Sequence, residues 1–468
     1  MAEHADTPTS GKARQDADLT QGSIFAHLIR MAVPIAIGLL FQNLYHLIDL
    51  YFVAQLGEQA VAGVSAAGNL MFMVLAASQA LSVGTVALVA QAMGRKDTAD
   101  ADRVFNQSLG VSMLLCVATL LLGYLFSDAY LGGLAAGAEA RRAGLIYLWW
   151  FLPCLALQFP TVVISSAMRG CGVVQPAMLV QLLTVVLNAI LAPVLIAGWG
   201  TGLAFGVAGA GAASTLSMVV GMAMLWRLFR RMHLPITIQR DALRPRRDTV
   251  ARLLRIGAPS GGEFLLMFVY MAVIYWLIKP FGDEAQAGFG IAMRVMQAIF
   301  LPAMAVAFAV SALAAQNVGA GLPGRVRASF RTAALTSCGL MALLTLLCQW
   351  RADALLGIFS QQAGVLAVGA GFLHVVSWNF VASGLVFTCS SLFQALGHTL
   401  PSLLSSASRL LTFALPAIWL STRPGFTLRQ VWLLSVATVA AQALFSLWLL
   451  RGEMRRRLPH AAAVGAPA

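Results

Sequence analysis

Charge is what this chain has least of. Only 10% of its 468 residues are Asp, Glu, Lys or Arg, while 59% are hydrophobic, and mean hydropathy is +0.80. Soluble domains run near 25% charged, so a soluble globular protein is excluded and an integral membrane protein is expected. Acids are the scarcer sign, with 18 Asp and Glu against 31 Lys and Arg. Cysteine is thin as well. Cys116, Cys154, Cys171, Cys338, Cys348 and Cys389 form no CxxC pair and lie in or beside apolar runs. They read as small buried hydrophobes, which leaves no redox or metal motif. The first 20 residues are polar and mixed in charge, so no cleavable signal peptide is expected.

What is present is a series of apolar runs. Twelve spans are expected, over 31–55, 61–92, 104–127, 143–168, 173–198, 206–229, 254–280, 286–317, 329–349, 363–393, 399–421 and 429–450. Several exceed what a bilayer needs and are expected to tilt or protrude. The net charge of +13 follows this topology. With the N-terminus placed in the cytoplasm, the cytoplasmic segments hold 23 Lys and Arg. The opposite loops hold six (Arg141, Arg142, Lys279, Arg351, Arg423, Arg429), and Arg294 and Arg409 fall inside spans. That asymmetry places both termini in the cytoplasm and argues against a nucleic-acid partner.

The chain also repeats itself. At an offset of 225 residues, Arg30 meets Arg255, Pro34 meets Pro259, Gly57 meets Gly282 and Gly63 meets Gly288. Gln91 then meets Gln316, Gly94 meets Gly319, Phe105 meets Phe330, Ser165 meets Ser390, Gly172 meets Gly397, and Pro176 meets Pro401. Gly and Pro dictate backbone path, so both halves should make the same turns. Six spans per half is an even number, so the repeats enter the membrane in the same orientation. The expected fold is all-α integral membrane, with twelve transmembrane helices in two pseudo-symmetric six-helix lobes. A polar N-terminal arm (1–24) precedes an N-lobe (25–230), a cytoplasmic linker (231–250), a C-lobe (251–452) and a tail (453–468). The linker reads as a solvated connector with snorkelling arginines. The charged stretch GRKDTADADR (94–103) reads as a solvated helix start.

Few ionisable groups lie within spans, so those few stand out. In FQNLYHLIDLYFVAQLG, Gln42, His46 and Asp49 share one helix face with Tyr45 beside them, while Asn43 points elsewhere. An acid near a helix centre costs roughly 2.5–3.5 kcal/mol on insertion scales, so the stripe needs a wet or polar pocket. Asp49 is the one acid within a span of the first half. Burial disfavours the charged form of a carboxyl, so such a group can load a proton on one side and release it on the other. A cationic compound would compete for the same field. His46 either packs by hydrogen bonding or tunes Asp49 one turn away. Gln181 and Asn188 share a face of the fifth span and could complete the pocket. Glu263 is the acid within a second-half span, and its repeat mate is Gly38. It either holds cations or neutralises Arg294 or Arg409. Arg294 either snorkels or binds substrate.

Taken with DLTQGSIFAHLIRMAVP, SSAMRGCGVVQPAMLV, its echo SSLFQALGHTLPSLL, LLRIGAPSGGE and QNVGAG, these stretches resemble the MATE (multidrug and toxic compound extrusion) family. LIDLYFVAQLG is most similar to its DinF-like branch, in which that aspartate is the proposed coupling site. The resemblance implies a secondary antiporter, not an enzyme, in a bacterial cytoplasmic membrane. It would export small organic compounds, often cationic or amphipathic, in exchange for protons or sodium, as a monomer among lipids and without a cofactor. Asp49 and Glu263 would couple cations. Gln42, Tyr45, His46, Gln181, Asn188 and Arg294 would line the pocket. One departure matters: Ala192 stands where some relatives carry a second acid four residues after the asparagine. A lipid-linked precursor flippase of the same wider superfamily is the alternative.

Overall fold

The computed structural model describes residues 18–134, 137–200, 202–232 and 234–458. The arm through residue 17 and the tail from 459 lie outside the described residues. Within them the chain is all-α. The helices are α1 Ile24–Ala54, α2 Glu58–Gly94, α3 Thr98–Leu134, α4 Ala138–Gly170, α5 Gln175–Ala197, α6 Val207–Arg231 and α7 Arg247–Ile278. They continue as α8 Asp283–Gly319, α9 Pro323–Gly357, α10 Ala363–Val376, α11 Asn379–Ala395, α12 Leu400–Ser421 and α13 Leu428–Arg457. Among the described residues eleven are long and apolar enough to cross a membrane, and α10 with α11, bent by 59°, brings the number to twelve when the pair is counted as one broken span.

That bend was not visible as Pro or Gly in the sequence. It sits at Ser377 and Trp378, and polar side chains of α9 compensate for it. Thr345 Oγ1 donates to Ser377 O at 2.9 Å, and Gln349 Nε2 donates to His374 O at 2.7 Å and to Ser377 Oγ at 2.9 Å. Carbonyls released by a broken helix need donors in an apolar surround, and here a neighbouring helix supplies them.

The repeat holds at the level of single hydrogen bonds. After α2, Arg95 N, Lys96 N and Asp97 N donate to the carbonyls of Gln91, Met93 and Ala92. After α8, Ala320 N, Gly321 N and Leu322 N donate to those of Gln316, Val318 and Asn317. Each turn needs one left-handed residue, and Lys96 (φ 60°) and Gly321 (φ 68°) occupy equivalent positions. The turns at Gly172 (φ 83°) and Gly397 (φ 71°) match in the same way. Gly63 and Gly288 also serve equivalent ends. A Cβ at Gly288 would stand 2.7 Å from Val365 O, and one at Gly63 would meet Ala140 O and Gly144 N.

Two compact units result. Unit 1 is built on Ile37–Ala258, and unit 2 combines Leu19–Ala36 with the chain from Pro259 onward. The first helix of each half therefore divides between the units close to Pro34 or at Pro259. In unit 2 the leading segment is tied down by Leu19 N to Gln316 Oε1 (3.0 Å), by Asn317 Nδ2 to Leu19 O (3.2 Å) and by Arg325 Nη1 to Gly22 O (3.1 Å). In unit 1, Gly84 and Gly257 let α7 approach α2, since a Cβ at either would strike the backbone of Leu253 or Ala80.

The linker departs from expectation, because much of it is docked on α3. Asn106 Nδ2 donates to Thr237 O and Asn106 Oδ1 accepts from Gln239 N, both at 2.8 Å. Gln107 Nε2 donates to Ala242 O (2.6 Å) and Arg244 O (2.7 Å), and its Oε1 accepts from Arg246 N. Asp102 Oδ1 takes Thr237 N. Backbone groups pressed against a helix need partners, and these side chains provide them. The stretch 94–103 is likewise not merely a solvated start. Asp97 Oδ1 accepts from Asp100 N, and Asp100 Oδ2 bridges Arg95 (2.9 Å) and Arg252 (3.1 Å). Replacing Gln107 by Ala strands three backbone groups. Limited trypsinolysis after Arg246 and Arg247 should then run about tenfold faster, as a local loss of roughly 1–3 kcal/mol implies. Unchanged cleavage would mean that the docking contributes nothing.

Candidate functional site

Tyr45 and Asp49 of the α1 stripe face the interior of unit 1. Asp49 Oδ2 accepts a long hydrogen bond, 3.4 Å, from the Tyr147 hydroxyl on α4. Its Oδ1 is buried and has no partner among the described residues. Carboxylate hydrogen bonds from hydroxyls normally fall at about 2.5–3.0 Å, so this group is poorly satisfied. No Lys or Arg among the described residues pairs with it. Tyr147 is positioned by stacking on Phe151, centroid to centroid 4.9 Å.

Three further helices close the pocket. Tyr45, one turn before Asp49, lies beside Ser214 of α6 and Cys154 of α4. Asn188 of α5 is fully buried and donates to Ser214 Oγ at 3.4 Å, and its own Oδ1 has no partner among the described residues. Ala192, also fully buried one turn on, puts a methyl where a second acid would stand. The cluster thus holds one carboxyl, hydroxyls, an amide and a thiol. Asp49, Tyr45 and Asn188 are brought together as the sequence suggests, and Gln42 and Gln181 are half-buried on the same two helices. Asn43 turns back to Leu39 O at 3.2 Å. The side chain of His46 lies outside the described residues. Sequence reasoning missed Ser214, in the small-residue run GAGAASTLS, and did not single out Tyr147 as a partner of Asp49.

In unit 2, Glu263 Oε2 accepts from Ser390 Oγ at 3.3 Å, Ser402 donates to Ser390 at 2.7 Å, and Glu263 Oε1 is buried with no partner among the described residues. The expected alternative of an ion pair with Arg294 or Arg409 is not what the described residues form. Arg294 is exposed, and the Arg409 guanidinium lies over the Tyr270 ring at 4.4 Å.

Comparison with known proteins points the same way. A family model described as MatE matches the chain twice, over 34–194 and 259–420, more than half its length. Both matches begin at the repeated prolines. The chain is 25% identical over 420 residues to the probable multidrug resistance protein YpnP of Bacillus subtilis, covering 89% of this chain and 91% of that one. It is 26% identical to the probable multidrug resistance protein NorM of Deinococcus radiodurans, covering 92% and 96%. A solved outward-facing multidrug resistance transporter superposes with a TM-score of 0.88 at 24% identity, covering 95% and 98%.

A buried carboxyl with one weak donor lowers stability, and its neutral isostere should relieve that. Asp49→Asn is expected to raise the thermal midpoint of purified protein at neutral pH, by an equivalent of about 1–3 kcal/mol. A lowered midpoint would show that Asp49 is held by partners stronger than those seen.

Proposed function

Because the chain belongs to the MatE family of multidrug efflux transporters, we propose that it is a proton-coupled antiporter with Asp49 as the exchange site. It exports organic cations and amphipathic compounds across the bacterial cytoplasmic membrane, with both termini on the basic, cytoplasmic side. The observation that carries this reading is the poorly satisfied Asp49 carboxyl among uncharged groups from α1, α4, α5 and α6. A proton entering from outside neutralises Asp49, removes a buried charge, and lets α1 repack against its neighbours. Loss of that proton to the cytoplasm restores a negative field that an organic cation can occupy. Proton and cargo thereby exclude each other, which is the requirement for exchange.

A proton suits this pocket better than sodium does. Sodium must have most of its lost hydration replaced by oxygen ligands, and Ala192 withholds the second acid that would help. Glu263, held by Ser390 and Ser402, is assigned a supporting cation site in unit 2. The flanking side chains of Gln42, Tyr45, Gln181 and Asn188 keep the α1 pocket polar.

The test is transport in proteoliposomes. A fluorescent organic cation should accumulate under an imposed proton gradient and not under a sodium gradient alone. Asp49→Asn should abolish this, by at least about 100-fold, the scale of a lost coupling of some 3 kcal/mol. Glu263→Gln should retain measurable exchange. Sodium-driven uptake, or full activity in Asp49→Asn, contradicts the proposal.

A further inference from the structure

Unit 2 contains a second polar cluster, of the opposite sign. Arg409 stands near the middle of the 22-residue α12, nine steps or roughly 14 Å from its first residue. Its guanidinium lies over Tyr270 of α7, its Nε is buried without an acceptor, and no carboxylate pairs with it among the described residues. The Tyr270 hydroxyl shares a hydrogen bond with Ser435 Oγ at 3.2 Å, and Asn379 Nδ2 reaches the same Ser435 at 3.4 Å. All three of these neighbours are buried.

The repeat shows what has been exchanged. At the 225-residue offset Tyr45 becomes Tyr270 and Cys154 becomes Asn379, so part of the polar wall persists. Asp49 becomes Ile274, Asn188 becomes Phe413 and Tyr147 becomes Phe372, all buried and apolar. Thr184 becomes Arg409. The carboxyl site of unit 1 is filled in unit 2 by rings, with Tyr270 and Phe413 centroids 4.8 Å apart, and a cation stands beside the retained tyrosine. Stacking on Tyr270 offsets part of the cost of that charge, but a guanidinium offers five directional donors that a ring face does not use.

We propose that this cluster is an anion subsite at which Arg409 receives the carboxylate of an organic substrate. The inference rests on the transport reading and specifies its cargo: compounds bearing a carboxylate as well as a cationic or apolar body. A guanidinium fork fits a carboxylate with two parallel hydrogen bonds. A lipid phosphate has the same chemistry, but its headgroup sits at the membrane surface, whereas Arg409 lies at mid-helix.

The test compares two dyes differing only in the acid, rhodamine B and its ethyl ester, by fluorescence anisotropy on protein in phosphatidylcholine nanodiscs. Wild type should bind rhodamine B more tightly than the ester. Arg409→Gln should weaken rhodamine B by about tenfold and leave the ester within about twofold, the scale of one charge-assisted contact. Ester binding confirms that the variant is folded, and Arg409→Lys should restore part of the loss. Equal affinity of wild type for both dyes, or equal loss of both in Arg409→Gln, overturns the subsite. So does loss of the Arg409 effect when phosphatidylglycerol replaces part of the phosphatidylcholine, which would assign the site to lipid. Proton-driven transport of the ester by Arg409→Gln separates the two readings: its retention leaves the antiporter standing whatever becomes of the subsite.

Discussion

A charged carboxyl enclosed among helices can lower its free energy by gathering donors or by giving up its charge. Among the described residues Asp49 has gathered little: one hydroxyl at 3.4 Å and a second oxygen with no partner. The core of unit 1 around it is packed largely through small and apolar residues. In the proposed exchange, that unresolved demand is what a proton or a cationic ligand answers. A fully satisfied carboxylate would be stable and inert.

Duplication explains why the scaffold is so regular while the chemistry is not. The turns after α2 and α8, and after α4 and α11, repeat bond for bond, because glycine and the left-handed turn leave the backbone little choice. Side chains in the interior carry no such restriction. One half keeps an acid among hydroxyls and an amide, while the other has rings at those places, Glu263 on a pair of serines, and Arg409 on a tyrosine.

The spans were legible because hydrophobic runs of bilayer length have few other uses, and the Gly and Pro register exposed the repeat without any coordinates. Asp49, Tyr45 and Asn188 were legible because a polar group in an apolar helix needs a reason. Ser214 and Tyr147 were not, since a serine in a small-residue helix and a tyrosine among tryptophans look like packing. The α10–α11 break was hidden for a different reason: the residues that permit it, Thr345 and Gln349, lie on another helix. The docked linker escaped notice likewise, because its anchors Asn106 and Gln107 sit 131 to 139 residues away in sequence.

The central claim is that one carboxyl gives up its proton when cargo binds. Purified protein in weakly buffered detergent solution, titrated with an organic cation beside a pH indicator, measures this directly. Wild type should release up to about one proton per bound cation, and Asp49→Asn none, as linkage at a single group requires. Undiminished release from the variant would place the exchange elsewhere and remove Asp49 from the mechanism.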